Sequence, residues 1–117
     1  MYKHKGILIP GRINSSRIKS LKEFLILNRE NYYIYNNIDK AILCSIDIVV
    51  KFGVLEIEKT ISFCEENKLN LLIVTDIFSI PELNKKIIIG TVKVGSTNEE
   101  IIEEIKKIRI LSSGIPL

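Results

Sequence analysis

Short apolar runs alternate with amphipathic segments along this chain, and the alternation limits the folds that the chain can adopt. Residues 6–10, 32–35, 69–74 and 86–94 are short apolar or β-branched runs, which predict strands. Residues 16–28, 54–67 and 96–109 repeat apolar side chains every three or four positions, which predicts helices. Strands that alternate with helices predict an α/β fold with a mostly parallel, Rossmann-like sheet and helices on both faces.

Some segments carry more detailed predictions. Ser15 or Ser16 is expected to cap the first helix, and Ser96 with Glu99 fits a capping box at the start of the last helix. The uniformly apolar run at 69–74 predicts a strand buried on both faces.

Periodicity is less decisive in the middle of the chain. Residues 38–52 are almost continuously apolar, and we interpret them as a short helix followed by an extended piece. In the helix predicted at 54–67, Leu55 is expected to face inward with Ile57 and Ile61. Residues 81–84 are expected to form a loop or turn.

The length and charge of the chain narrow the possible functions. Its 117 residues allow one core, so we expect a single domain over residues 1–117. The net charge of +3 is too small to identify a nucleic-acid or membrane partner. Nucleic acid is also disfavoured because the tyrosine-rich run at 32–35 lacks interleaved basic residues. The basic residues that precede the first acid, Glu23, are Lys3, Lys5, Arg12, Arg17, Lys19 and Lys22.

The cysteines and the hydropathy pattern give further expectations. Cys44 and Cys64 lie among apolar residues without neighbouring cysteine or histidine, so we expect buried free thiols and neither a disulfide nor a metal site. The start of the chain is too short and too charged for a signal peptide, and no apolar run is long enough to span a bilayer. These features predict a cytoplasmic protein without a transmembrane segment.

The strongest candidate for a binding site is the turn between the first strand and the first helix. A glycine-containing turn that leads into a helix directs backbone N–H groups and the positive helix end at one point, which suits a phosphate group. The loop has no Asp or Glu that could hold Mg²⁺ or accept a proton. The predicted phosphate-binding residues are Gly11, Arg12, Asn14, Ser15, Ser16 and Arg17. A capped helix start with solvated arginines is the alternative interpretation.

Two further residues are candidates for a second site. Asp76 follows the strand predicted at 69–74, where α/β sheets often place ligand-binding residues, although an aspartate there also commonly caps a turn. His4 lies just before the first strand, where a lone histidine is more often simply exposed. We therefore expect no catalytic residue, no metal and no bound cofactor.

Three segments, residues 4–11, 53–79 and 86–107, together resemble the cis-prenyltransferases, the undecaprenyl and dehydrodolichyl diphosphate synthases. Residues 4–11 follow the order of the family's opening pattern, His-x-Ala-Ile-Ile-x-Asp-Gly-Asn-x-Arg, with Pro10 in place of the aspartate. Residues 53–79 are similar to the family's helix and strand that end near a Phe-Ser pair. Residues 86–107 resemble its Arg-Ile-Ile-Gly-Asp strand and the acidic helix after it, with Thr91 in place of the aspartate.

The resemblance implies a fold and a ligand class but not the family's chemistry. In the family, the aspartate of the first loop binds Mg²⁺ and helps the allylic diphosphate to leave, and Pro10 cannot do this because it has no side-chain oxygen. The chain also ends before the family's arginine-rich segment that clamps the substrate. Some members work as two unlike subunits, one of which has lost its catalytic residues, but this chain is much shorter than such a subunit.

The sequence thus supports three hypotheses. The first is a non-catalytic cis-prenyltransferase-like protein, a pseudoenzyme that binds a phosphate or diphosphate ligand or a partner subunit. The second is a small Rossmann-like nucleotide-binding protein or enzyme in which Asp76 joins the Gly11 loop at the strand ends. The third is a structural module that forms a homodimer through exposed isoleucine-rich surface.

Overall fold

The computed structural model describes residues 5–11, 15–35, 40–76 and 87–113. In these ranges three α-helices and a short 3₁₀ segment accompany five strands. The strands are β1 (Gly6–Pro10), β2 (Tyr32–Tyr35), β3 (Ile46–Phe52), β4 (Asn70–Val74) and β5 (Ile89–Val92). The helices are α1 (Ser16–Leu27), α2 (Ile57–Glu66) and α3 (Asn98–Ser113), and the 3₁₀ segment spans Lys40–Ser45.

The five strands form one parallel sheet in the order β2-β1-β3-β4-β5. This is one of the common strand orders of doubly wound α/β proteins. The chain moves outward from β1 to β2 on one side and from β3 to β5 on the other. The order therefore reverses between β1 and β3, and in such sheets this switch point is where ligands usually bind.

The sheet is covered on both faces, which confirms the predicted α/β architecture. Helices α1 and α3 pack on one face and α2 packs on the other. Side chains along β1 alternate between the two layers, since Ile7 and Ile9 join the first and Leu8 joins the second. The helical contributors to the first layer are Ile18, Leu21, Leu25, Ile101, Ile102, Ile105 and Ile108.

Several local predictions are confirmed. Strands β1 and β2 have the predicted bounds, and every residue of β4 is buried, as expected for a central strand. The ambiguous stretch at 38–52 contains a 3₁₀ turn that leads directly into β3. The turn predicted at 81–84 lies outside the described residues.

The start of α2 differs from the prediction. The helix begins at Ile57, because Gly53 and Glu56 both adopt positive φ, 84° and 56°, and the chain turns before the helix starts. Leu55 consequently lies in this turn with 79% of its surface exposed, and the expectation that it faces the core was wrong. An apolar residue at helical spacing cannot reveal that the helix has not yet begun.

The capping box of α3 is shifted by one residue from the predicted pair. The Thr97 hydroxyl accepts a hydrogen bond from the Glu100 N–H at 3.1 Å, and the Thr97 N–H donates to Oε1 of Glu100 at 3.0 Å. The bond from the Thr97 backbone N–H to the carboxylate, with a smaller contribution from the Thr97 side chain, holds the pKa of Glu100 below its ordinary value. Ser96 instead donates its N–H to the Lys93 carbonyl in the preceding turn.

The two cysteines are both free but differ in exposure. Cys64 is buried in the layer under α2, as expected, and burial raises the pKa of its thiol to about 12. Cys44 is exposed, so the expectation of a second buried thiol was wrong. Within the described ranges, no helix has the length and apolar character needed to cross a bilayer.

Candidate functional site

The switch point places one glycine directly after each of two adjacent strands at the carboxyl edge of the sheet. β1 ends at Pro10 and continues into Gly11, whereas the adjacent β3 ends at Phe52 and continues into Gly53. From there the chain passes to α1 on one face and to α2 on the other. Connections that leave neighbouring strands toward opposite faces open a crevice between them.

Gly11 shapes this edge through its small size. A Cβ atom at this position would lie 2.6 Å from Cδ1 of Ile18 in α1, so a side chain here would require the Ile18 side chain to move. Its N–H donates to the carbonyl of Tyr35 at the end of β2. The Gly11 amide is therefore committed to the sheet, and the predicted role of this residue is limited to the shape of the loop.

The N-terminus of α1 lacks the usual compensating groups. Ser15 occupies the N-cap position but its side chain makes no capping hydrogen bond, and the first turn contains no acidic residue. The first hydrogen bond within the helix runs from the Lys19 N–H to the Ser15 carbonyl. The N–H groups of the three residues between them have no partner within the helix, so this end carries a partial positive charge.

Arg17 lies in this first turn and extends toward the start of α3. Its Nη1 donates to Oδ1 of Asn98 and its Nη2 donates to the Ser96 carbonyl at 2.8 Å. The guanidinium carbon lies 5.8 Å from the centre of the Phe52 ring, within the range of a cation–π contact. The side chain thus ties the start of α1 to the start of α3 above the end of β3.

The charge of Arg17 is not neutralised by these contacts. Asn98 and the Ser96 carbonyl are neutral acceptors, and the ion pairs found in the described part of the chain do not involve Arg17. A guanidinium has five N–H donors, and these two hydrogen bonds use two of them. The arrangement therefore orients a positive charge and leaves donors for a further acceptor.

Asp76 does not lie directly beside Gly11. β3 lies between β1 and β4, so two interstrand spacings, about 10 Å, separate the end of β1 from the end of β4. Oδ1 of Asp76 accepts a hydrogen bond from the Val94 N–H at 3.0 Å, and this fixes the turn after β5. This contact agrees with the structural interpretation of Asp76.

Other predicted site residues lie outside the described ranges, namely His4, Arg12 and Asn14. A magnesium ion like that of the cis-prenyltransferases does not fit the residues that are described. Pro10 offers no oxygen ligand from its side chain, and the described residues contain no group of three or more His, Cys, Asp or Glu placed to hold a metal.

The sequence did not predict a second charged cluster, which lies where β1 and β3 begin. Arg109 of α3 is only 6% exposed and pairs with both Asp47 of β3 and Glu30, each at 3.1 Å. Its Nη2 also donates to the Lys5 carbonyl at 2.8 Å. The signal was available, because Arg109 follows Ile105 by four positions and so lies on the buried side of α3, where a charge requires partners.

The structure thus contains two arginines with different surroundings. Known proteins do not indicate a function for either of them. Comparison with protein-family models, with curated proteins and with solved structures found no match to this chain. The relationship to the cis-prenyltransferases stays a prediction, and the function has to be argued from the site itself.

Proposed function

We propose that this chain binds a phosphate-bearing small molecule at the carboxyl edge of its sheet, beside Arg17, and does not transform it. The observation that carries the proposal is the half-buried Arg17 guanidinium, which neutral acceptors hold in place without neutralising it. Phosphate oxygens are strong acceptors for such a group, since charge-assisted hydrogen bonds to arginine are short and can be bidentate.

The backbone around Arg17 supports the same ligand class. The uncapped N-terminus of α1 adds a partial positive charge and free N–H groups to the full charge of the side chain. These like charges repel one another, and an anion bound between them would offset this repulsion. The proposed binding residues are Gly11, Arg12, Asn14, Ser15, Ser16 and Arg17, with Gly11 acting through the shape of the loop.

The composition of the loop supports binding without catalysis. Residues 10–17 contain no carboxylate, so this segment cannot hold Mg²⁺ or accept a proton in the way that a prenyl transfer would require. A cis-prenyltransferase-like pseudoenzyme that retains diphosphate binding, or that serves as the partner of another subunit, is consistent with this composition.

A nucleotide is the second candidate ligand, and the strand order favours it. Doubly wound sheets bind nucleotides at the switch point that β1 and β3 form here. In that hypothesis Asp76 contributes to the site, so Mg²⁺ or an Asp76→Ala substitution would change the affinity. In our proposal neither has an effect, because Asp76 is bonded to the Val94 N–H.

Self-association is the third possibility. Leu27 and Leu55 are 80% and 79% exposed, and large exposed apolar side chains are common at protein interfaces. Size-exclusion chromatography with light scattering measures the mass in solution and so tests for a homodimer.

Calorimetric titration with inorganic pyrophosphate in magnesium-free buffer tests the proposal. We expect saturable binding by the wild-type chain and a loss of about tenfold or more in Arg17→Ala, because charge-assisted hydrogen bonds contribute roughly 1.5–3 kcal/mol. The matched control is Lys19→Ala, which removes the same charge from an exposed position on the same helix. Equal affinities for wild type and Arg17→Ala, or no saturable binding by the wild type, would contradict the proposal.

A further inference from the structure

Asn98, the first residue of α3, occupies a central position beside Arg17. Its Oδ1 accepts the hydrogen bond from Nη1 of Arg17. Its Nδ2 donates to the hydroxyl of Ser20 at 3.1 Å and to the Ser20 carbonyl at 3.4 Å. One amide group therefore joins two residues of α1 to the start of α3.

A carboxylate at this position would favour the stability of the fold. Acidic side chains in the first turn of a helix interact well with the positive end of its dipole, and Glu99 and Glu100 already lie in this turn. An aspartate at position 98 would also form an ion pair with Arg17, and the Ser20 hydroxyl could rotate to donate to it. The helix dipole and the ion pair with Arg17 thus favour aspartate, whereas only the long bond from Nδ2 to the Ser20 carbonyl favours the asparagine that is present.

The asparagine has a different electrostatic effect. Its amide oxygen orients the guanidinium as a carboxylate oxygen would, but it carries no net charge. The Ser96 carbonyl and the Phe52 ring, which also contact Arg17 among the described residues, are uncharged groups as well. The whole positive charge of Arg17 consequently stays available to a ligand.

We propose that Asn98 is a positioning residue that holds Arg17 toward the phosphate ligand while leaving its positive charge uncompensated. This inference rests on the function proposed above. It extends the site beyond the β1–α1 loop, to a residue 81 positions away from Arg17 in the sequence. It also explains why the ligand would be an anion with strong acceptor oxygens.

The Asn98→Asp variant distinguishes a positioning role of Asn98 from a purely structural role. We expect it to keep or raise the Tm, because the substitution adds an ion pair and a favourable helix-dipole interaction. We also expect it to weaken pyrophosphate binding about tenfold or more at low salt, with a smaller loss at high salt, because screening weakens charge effects. A residue with a purely structural role would not make binding weaker in a more stable protein.

The control for added charge is Ser112→Asp, at an exposed position near the other end of α3. It introduces the same negative charge far from Arg17, so we expect the affinity for pyrophosphate to match that of the wild type. An equal loss in this variant would attribute the effect to net charge and overturn the inference.

The remaining outcomes distinguish this inference from the proposed function. If the wild type binds no pyrophosphate, both are wrong. If the wild type binds and Asn98→Asp binds equally well, only the role of Asn98 is wrong. If Asn98→Asp lowers the Tm more than Ser112→Asp does, the pyrophosphate affinity of Asn98→Ala is the decisive measurement, because this variant removes the orienting amide without adding charge. We expect a several-fold loss of affinity in that variant, and unchanged affinity would overturn the inference.

Discussion

Arg17 lies where the strands of the sheet end and Arg109 lies where they begin, and the surroundings of the two side chains differ. Arg109 is almost fully buried and pairs with two carboxylates, Asp47 and Glu30. Arg17 is half-buried and bonds only neutral acceptors, the Asn98 amide and the Ser96 carbonyl. A buried charge needs partners to be tolerated at all, so the first arrangement follows from folding. The second is not required by burial of a charge, and it is the observation from which we propose binding.

The N-termini of α1 and α3 repeat this contrast on the same face of the sheet. The N-terminus of α3 has a complete capping box between Thr97 and Glu100 and an acidic first turn. The end of α1 has no side-chain cap and carries Arg17 where an acid would be stabilising. Two regions of one molecule thus differ in whether their charges are compensated internally, and the uncompensated region lies at the switch point.

The largest expected effect is the loss of the buried arginine. Arg109→Ala removes the ion pairs to Asp47 and Glu30, and breaking a buried ion pair in this way costs about 3–5 kcal/mol of unfolding free energy. For Arg17→Ala we expect about 1.5 kcal/mol, the lower end of the range for hydrogen bonds of charged groups, because Arg17 is only half-buried and its loss leaves no carboxylate unpaired. Urea denaturation monitored by circular dichroism measures both. Similar losses in the two variants would show that Arg17 is as structural as Arg109.

The two helix ends should also respond differently to removal of the capping side chain. Thr97→Ala removes a hydroxyl that accepts a hydrogen bond, and we expect it to cost about 1 kcal/mol. Ser15→Ala removes a side chain that makes no capping bond, so we expect almost no change in the Tm. The same alanine substitution thus compares a compensated with an uncompensated N-terminus. A loss in Ser15→Ala as large as that in Thr97→Ala would remove the contrast.

The smallest expected effect is a dependence of stability on pH at the end of α3. The bonds to Thr97 hold the folded-state pKa of Glu100 below its ordinary value of 4.5. A depressed carboxyl pKa adds stability that is fully present above the unfolded pKa and disappears as the pH falls through the folded pKa. Between neutral pH and acid, the Tm of the wild type should therefore fall slightly more than that of Glu100→Gln. Glu99→Gln removes the same charge without touching the Thr97 bonds, and it should follow the wild type.

Local patterns predicted most of the helices and strands, but only some of the residues at which they begin and end. The turn residues around β1 and β2 mark their bounds in the sequence, and the isoleucines of α3 at three- and four-residue spacing identify its buried side. The start of α2 and the capping pair of α3 were each misplaced. In both cases a neighbouring residue fits the same pattern, and backbone conformation decides between them.

The predicted site shows the same division between local and distant information. The glycine turn and the basic start of α1 could be read from consecutive residues, and both lie at the switch point. The partners of Arg17 could not, because Ser96 and Asn98 lie 79 and 81 positions further along the chain. The commitment of the Gly11 amide to Tyr35 likewise depends on strand pairing.

The sequence by itself determined that this chain alternates strands and helices around a parallel sheet, because the spacing of apolar side chains acts over a few residues. Only the tertiary structure decided the strand order, the ion cluster at Arg109 and the neutral surroundings of Arg17. The hydrogen bonds of the two arginines join residues 62 to 104 positions apart, and the strand order depends on pairing between strands that are separated by whole helices or loops. Local spacing carries no information about such partners, since packing of the whole core selects them.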